Sequence, residues 1–230
     1  MSIAERTEEF RNELQRVCQA CGRDPASLRI VAVSKTRSTD EIRQARAAGL
    51  LDFGENRVQE AQAKIAEIVP RPVWHLVGHL QTNKAHRAAQ LFDWVHSVDS
   101  SRVAAALGQG ALEADRNVGV LVQVNTTAEE QKSGCDPERV GEVLEAVMAQ
   151  PALRLCGLMT MGPLSMDERD TRVAFQRAAG VREHWRSQLP PGRMEVLSMG
   201  MSGDWPWAVE CGADWLRVGT AIFGERGVYH

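Results

Sequence analysis

The stretch Ala213-Asp-Trp-Leu-Arg-Val-Gly-Thr-Ala-Ile-Phe-Gly224 combines a short apolar strand with the start of a helix. Trp215–Val218 has the composition of a buried strand, and Gly219 and Thr220 follow at the point where the chain turns toward the helix. Backbone N–H groups at such a turn have no partner inside the helix and bind anions such as phosphate. Arg217 in the strand is placed to contact the other end of the same ligand. The stretch therefore predicts a strand–turn–helix unit with an anion site.

The same pattern recurs along the whole chain: an apolar run is followed by an amphipathic stretch. Helical signals lie between the apolar runs, as in Thr39–Arg46, Asn56–Ile68 and Asp136–Val147. The predicted strands are Ile30–Ser34, Leu51–Gly54, Trp74–Gly78, Trp94–Val98, Val118–Val124, Leu155–Met159, Met194–Met199 and Trp215–Val218. Eight strands that alternate with helices in 230 residues predict an α/β fold, a single TIM (β/α)8-type barrel with an extra N-terminal helix. Because no linker divides the chain, we expect one domain over residues 1–230.

Composition narrows the class of protein. The chain has 43% apolar and 25% charged residues, which suits a soluble domain with a substantial core. A formal net charge of -3 gives no broad electrostatic reason to bind nucleic acid or an anionic membrane. Early charges in the first ten residues do not fit a signal peptide, and no stretch is long and apolar enough to span a bilayer. We therefore expect a cytoplasmic protein.

Two side-chain patterns have the spacing of known redox or metal motifs but predict no site in this chain. Cys18 and Cys21 form a CxxC pair, yet they lie in a helical pattern with no strand before them, which favours packing over redox chemistry. His75 and His79 have the spacing of a zinc-protease helix, but no glutamate follows His75 and the segment has the pattern of a strand. The sequence therefore predicts no metal site.

Polar residues follow the predicted strands where a TIM barrel carries its active site. Lys35 and Asn56 follow the first two strands, Ser198 and Ser202 lie at the end of the seventh and just beyond it, and Arg217 leads into Gly219 and Thr220 at the end of the eighth. This fold places its sites at the C-terminal ends of strands and often binds phosphate with the loops after strands seven and eight. These residues are the candidate binding set: Lys35, Asn56, Ser198, Ser202, Arg217, Gly219 and Thr220.

The candidate set suggests one cofactor. A lysine at the end of an apolar strand can be partly desolvated and form a Schiff base, and Ser202, Gly219 and Thr220 suit a phosphate. Together with Arg217, they suggest pyridoxal 5'-phosphate. For Lys35 alone, an outward-pointing surface lysine is the ordinary alternative, and for Asn56 capping of the next helix explains the residue equally well.

Several motifs resemble a known family closely. They are Val33-Ser-Lys-Thr36, Phe53-Gly-Glu-Asn-Arg-Val-Gln-Glu60, Trp74-His-Leu-Val-Gly-His-Leu-Gln-Thr-Asn-Lys84, Lys132-Ser-Gly134, Gly157-Leu-Met159, Leu197-Ser-Met-Gly-Met-Ser202 and Arg217-Val-Gly-Thr-Ala-Ile-Phe-Gly224. In this order they resemble the pyridoxal phosphate homeostasis protein family, also called the proline synthase co-transcribed family. The resemblance implies a fold-type III barrel similar to the N-terminal domain of alanine racemase, with Lys35 as the aldimine lysine. It also implies that Ser202, Gly219 and Thr220 hold the phosphate and that Arg217 faces the pyridine nitrogen.

Arg217 has a chemical consequence of its own. A guanidinium is always a hydrogen-bond donor, so a ring nitrogen that faces it must accept and stays unprotonated. Enzymes that use the pyridoxal ring as an electron sink usually place a carboxylate at that nitrogen. Arg217 therefore predicts a weak electron sink and poor stabilisation of a substrate carbanion.

Three functions are compatible with these residues. We favour a protein that holds pyridoxal phosphate and serves its homeostasis and delivery, with no catalytic residue, apo pyridoxal enzymes as possible recipients, and a monomeric or weakly dimeric state. The alternative is an amino-acid racemase, which needs an acid/base on each face of the cofactor. In racemases the second base is a tyrosine of a C-terminal β-domain, whereas the one tyrosine here is Tyr229. A Schiff-base aldolase or sugar-phosphate isomerase leaves Arg217 unexplained.

Overall fold

Eight parallel strands form a closed barrel in the structure, a computed structural model that describes residues 1–127, 129 and 133–225. Each strand pairs with the next along the chain, and β1 pairs with β8 to close the ring. The predicted barrel is confirmed. The strands are β1 (Arg29–Val33), β2 (Asp52–Glu55), β3 (Val73–Leu76), β4 (Trp94–Val98), β5 (Val118–Gln123), β6 (Leu153–Met159), β7 (Val196–Ser198) and β8 (Trp215–Val218).

Helices connect the strands and cover the outside of the barrel. They are α1 (Ile3–Ala20), α2 (Thr39–Ala47), α3 (Val58–Glu67), α4 (Ala85–Leu91), α5 (Ser101–Glu113), α6 (Val140–Met148), α7 (Glu168–Arg186), α8 (Trp205–Glu210) and α9 (Thr220–Phe223). The predicted strands β4 and β8 match to the residue, while the predicted β7 is too long. Met194 is buried just before β7 without being part of it, so its apolar character reflects packing and not strand pairing.

The extra helix α1 begins at a capping box and packs on the outside of the barrel. Ser2 accepts a hydrogen bond from the Glu5 backbone N–H, and the Glu5 carboxylate accepts one from Ser2, which satisfies two free donors of the first turn. Its buried face meets α2, α8 and α9, and the Phe10 ring packs edge-on against Trp205 with 5.1 Å between centroids. Cys18 lies on this face, and burial raises the pKa of its thiol. The CxxC pair thus lies at the end of a packed helix, with Cys18 in α1 and Cys21 as its C-cap.

The inside of the barrel is partly polar. His96 on β4 contacts Ser198 on β7. Because β4 and β7 are not neighbours, both side chains must point into the barrel. They share this space with the apolar side chains of Leu121, Met159 and Trp215, which form a cluster separate from the main core between strands and helices.

Within the described ranges, no helix is long and apolar enough to cross a membrane.

Candidate functional site

Arg217 is a buried cation at the C-terminal end of the barrel. Its side chain donates from Nη1 to Ser198 Oγ and from Nη2 to the Thr160 carbonyl oxygen, both at 2.8 Å, and the residue is 4% exposed. Burial lowers the pKa of Arg217 to about 10, so the guanidinium still carries its charge at neutral pH. The sequence prediction named Ser198 and Arg217 separately, and the structure brings them into direct contact.

A second group of predicted residues meets at the turn after β8. Ser202 Oγ accepts hydrogen bonds from the Gly219 N–H at 3.1 Å and from the Ala221 N–H at 3.4 Å. A hydroxyl oxygen has two acceptor sites, so both are used and its O–H remains to be donated. Thr220 begins α9, has an exposed side chain, and contributes one of the first N–H groups of that helix. The turn therefore presents donors to an acceptor outside the chain.

Lys35 lies next to this turn because β1 and β8 are neighbours in the barrel. Ala32 pairs with Val218, and a Cβ built on Gly219 would lie 3.4 Å from the Val33 carbonyl oxygen. Lys35 follows two residues after Val33 and is partly buried. Its amine is thus carried by the strand end that adjoins the Ser202 and Gly219 turn.

The backbone on both sides of Lys35 is held by a buried lysine from helix α3. Lys64 Nζ donates to the Ser34 carbonyl oxygen and to Glu60 Oε1, both at 2.7 Å. Glu60 Oε1 in turn accepts the Thr36 N–H at 2.5 Å. Thr36 has a φ of 63°, a left-handed conformation that costs energy for a β-branched residue and that these bonds maintain. The peptide groups that flank Lys35 are therefore fixed from outside the barrel.

Glu55 completes this ionic cluster. Its Oε1 accepts from Lys64 Nζ at 2.8 Å and from Ser34 Oγ at 2.6 Å, and its side chain is fully buried. Burial raises the pKa of Glu55, and the contact with Lys64 opposes that rise. Its Oε2 is buried with no hydrogen-bond partner in the part of the chain that the structure describes. The pair with Lys64 is therefore the main compensation for the buried carboxylate.

A chain of polar side chains crosses the barrel beneath Arg217. Asp52 Oδ1 contacts His75 Nε2 at 2.9 Å, His75 Nδ1 contacts His96 Nε2 at 2.9 Å, and His96 Nδ1 contacts Ser198 Oγ at 3.1 Å. Both histidines are fully buried. Burial lowers the pKa of His75 and lowers that of His96 well below its usual value, which keeps both rings neutral. Arg217 is the last member of the chain through its bond to Ser198.

Sequence reasoning missed this chain and the Lys64 cluster. It considered His75 only as a metal ligand and gave no role to His96, Asp52 or Lys64. The available signal was a polar residue within an otherwise apolar barrel strand, as His75 is in Val73–Leu76. Such residues point inward, where a polar group must find a partner.

Asn56, the remaining member of the predicted set, lies on the barrel rim. It follows β2, beside the end of β1, and lines a cleft of about 570 Å³ that His79 and Lys84 also line. Its role as a ligand contact stays a prediction. Lys132 and Tyr229, both named in the sequence analysis, lie outside the described residues.

Comparison with known proteins identifies the family. The family described as alanine racemase, N-terminal domain, matches residues 6–227. A pyridoxal phosphate homeostasis protein from Pseudomonas aeruginosa is 42% identical over 226 residues, which cover 98% of this chain and 96% of the relative. This chain belongs to the pyridoxal phosphate homeostasis protein family.

Solved structures of other proteins have the same fold as this chain. PipY from Synechococcus elongatus, with pyridoxal phosphate (PLP) bound, matches this homeostasis-family chain with a TM-score of 0.85 and 40% identity, over 97% of this chain and 100% of PipY. Alanine racemase from Enterococcus faecalis matches with a TM-score of 0.72 and 18% identity, over 98% of this chain and 59% of the racemase. The second match concerns the fold alone. The predicted family and its likeness to the alanine racemase barrel are both confirmed.

Replacement of Lys64 tests the cluster that holds the Lys35 turn. Lys64→Met leaves the Glu55 carboxylate buried without its partner, so we expect the free energy of unfolding to fall by about 3–5 kcal/mol in urea titrations. The control is Arg43→Met, which breaks the exposed pair with Asp40 and should cost no more than about 1 kcal/mol. Equal, small losses in the two variants would contradict a structural role for Lys64.

Proposed function

We propose that this protein holds pyridoxal 5'-phosphate at the mouth of the barrel, with Lys35 as the attachment point, and that it serves cytoplasmic storage and delivery of this cofactor without robust catalysis on amino acids. The observation that carries the proposal is the joint presence of a buried, hydrogen-bonded Arg217 and a donor-rich turn at Ser202 and Gly219, next to the strand that carries Lys35. The relatives named as pyridoxal phosphate homeostasis proteins, and PipY with PLP bound, support it.

The attachment point fits the chemistry of the group. When bound, pyridoxal phosphate supplies an aldehyde that condenses with a primary amine to form a Schiff base. Lys35 offers such an amine at a strand end whose flanking peptides are fixed by Lys64 and Glu60. A fixed backbone limits the volume that the lysine side chain can search, which favours repeated attachment at one place.

The turn after β8 fits a phosphate. Ser202 has used both acceptor sites on Gly219 and Ala221, so its O–H is a donor, and Thr220 contributes one of the first N–H groups of α9. Phosphate oxygens accept only, and hydrogen bonds to a charged group are the stronger kind. Ser202, Gly219 and Thr220 are therefore the residues that would hold the phosphate.

Arg217 fits the ring nitrogen as a donor. Two of its N–H groups are engaged by Ser198 and Thr160, and a guanidinium has five. Since Arg217 remains charged at neutral pH, a nitrogen that it contacts has to be the acceptor and carries no proton. That arrangement withholds the ring proton on which strong carbanion stabilisation depends, which supports storage over amino-acid catalysis.

Covalent trapping tests the attachment point. After borohydride reduction of the PLP-loaded protein, peptide mass analysis should place the pyridoxyl group on Lys35, because this lysine adjoins the phosphate turn. Lys35→Ala should lose the visible band of the bound cofactor, while the control Lys84→Ala keeps it. A pyridoxyl group on Lys84 or Lys132 would overturn the assignment.

Comparison of two vitamers tests the phosphate residues. Loss of one hydrogen bond to a charged group costs about 1.5–3 kcal/mol, so Ser202→Ala should weaken PLP binding roughly 10- to 150-fold. Binding of pyridoxal, which lacks the phosphate, should change far less in the same variant. The control Ser187→Ala removes an exposed hydroxyl bonded to the His184 carbonyl oxygen and should leave both affinities unchanged. Equal losses for both vitamers in Ser202→Ala would place the phosphate elsewhere.

Hydrogen exchange tests the racemase alternative. A missing second base should cost about 10²–10⁴-fold in rate, in addition to the effect of Arg217 on the ring. When the loaded protein is incubated with L-alanine in heavy water, we expect no α-proton exchange at turnover typical of enzymes, together with transfer of the cofactor to an apo-enzyme. Rapid exchange with inversion would establish a racemase instead.

A further inference from the structure

The polar chain through the barrel has one end that can only accept and one that can only donate. A carboxylate has no proton to give, and a guanidinium has no acceptor site. Asp52 is the accepting end, on β2, and Arg217 is the donating end, on β8. Between them stand two imidazoles and a hydroxyl, each of which can donate and accept.

The accepting end sets the direction of every bond in the chain when both rings are neutral. His75 must donate from Nε2 to Asp52, so its Nδ1 is an acceptor and receives the proton of His96 Nε2. His96 Nδ1 is then an acceptor too, and it receives the hydroxyl proton of Ser198. The Ser198 oxygen is left with its lone pairs toward Arg217, whose Nη1 donates to it. No donor faces a donor and no acceptor faces an acceptor.

We propose that Asp52, His75 and His96 are positioning residues for Arg217, which they act on through this chain of hydrogen bonds with a single direction. The chain holds the Ser198 lone pairs toward the guanidinium and so fixes the orientation of its remaining N–H groups at the binding site. This inference rests on the proposed function for the ligand that Arg217 meets, while the chain itself is a property of the protein without ligand.

Burial and charge support the direction of the chain. Both imidazoles have pKa values lowered by burial, as a chain of neutral rings requires. Asp52 and Asp93 act to raise the pKa of His75, and burial outweighs them. Arg29 acts to lower the pKa of both rings, and Arg217 that of His96, in the same direction as burial. A protonated ring would have no acceptor site and would interrupt the chain.

The accepting end lies at the opposite rim of the barrel from the binding site. Asp52 begins β2, pairs with Arg29 at 3.5 Å, and lines a cleft of about 430 Å³ at the N-terminal ends of β1, β2 and β8. Arg29 also lies over the Trp215 ring, 4.7 Å from its centroid, which closes the floor of the barrel beside the chain. Asp52 and the ligand site thus lie at opposite rims of the barrel, and the polar chain through the interior connects them.

The decisive variant is Asp52→Asn, which keeps the shape of the side chain and replaces the carboxylate, a group that can only accept hydrogen bonds, by an amide. An amide offers both a donor and an acceptor, so His75 can adopt either tautomer and the direction of the chain is no longer imposed. The matched control is Asp40→Asn, which also removes one carboxylate paired with an arginine, Arg43, on the exposed face of α2.

Nitrogen NMR of the ligand-free protein, labelled at histidine and arginine side chains, measures the histidine tautomers and the order of the Arg217 Nη groups directly. In the wild type we expect His75 and His96 to remain neutral with the proton on Nε2, at pH values below 6.5 where exposed histidines are charged. The Arg217 Nη groups should give separate, slowly averaging signals. In Asp52→Asn, signals of the Nδ1–H tautomer should appear and the Arg217 Nη groups should average faster, while Asp40→Asn matches the wild type.

PLP titration adds a readout that a purely structural role would not move. With folding intact by the same spectra, Asp52→Asn should weaken PLP binding on the order of 2- to 30-fold, the usual range for coupling through a packed network, and shift the absorption maximum of the bound cofactor. A charged His75 or His96, an Nδ1–H tautomer in the wild type, or an unchanged Arg217 in Asp52→Asn would overturn the inference. Absence of PLP binding in the wild type would refute the proposed function instead. The ligand-free spectra would still test the direction of the hydrogen-bond chain.

Discussion

The hydrogen bond from Arg217 to Ser198 is the contact on which the organisation of the binding site depends. A buried cation is costly unless its donors are satisfied, and Arg217 is 4% exposed at the end of β8. Ser198, at the end of the neighbouring strand β7, and the carbonyl oxygen of Thr160, the residue after β6, satisfy two of its donors. These bonds engage two of the five guanidinium donors, and the turn after β8, at the same end of the barrel, presents N–H and O–H groups. One buried charge thus links the barrel interior to the binding surface.

Two polar systems support the site from opposite sides of the barrel wall. Inside, the chain from Asp52 to Ser198 supports Arg217. Outside, between β2 and α3, the Lys64 cluster holds the peptides on both sides of Lys35. The alternation of side chains along β2 connects the two systems, because Asp52 points inward and Glu55, three residues later, points outward toward Lys64. A strand of four residues therefore contributes to both supports.

The barrel and the rim residues could be predicted from the sequence because their signals are local. The β8 stretch has a strand, a turn and a helix start within twelve residues, and Lys35 directly follows the predicted strand Ile30–Ser34. The polar chain could not be predicted in the same way, because His75, His96 and Ser198 are far apart in sequence and meet only when the barrel closes. The same holds for Lys64, which looks like a surface residue of an amphipathic helix and is buried by its contact with Glu55.

We expect Arg217 to act on the ring of the bound cofactor as a fixed hydrogen-bond donor. Nitrogen NMR of the protein loaded with pyridoxal phosphate labelled at the ring nitrogen tests it most directly. The expected chemical shift is that of an unprotonated pyridine that accepts a hydrogen bond, unchanged across neutral pH and altered in Arg217→Gln. The shift of a protonated pyridinium in the wild-type protein would contradict it.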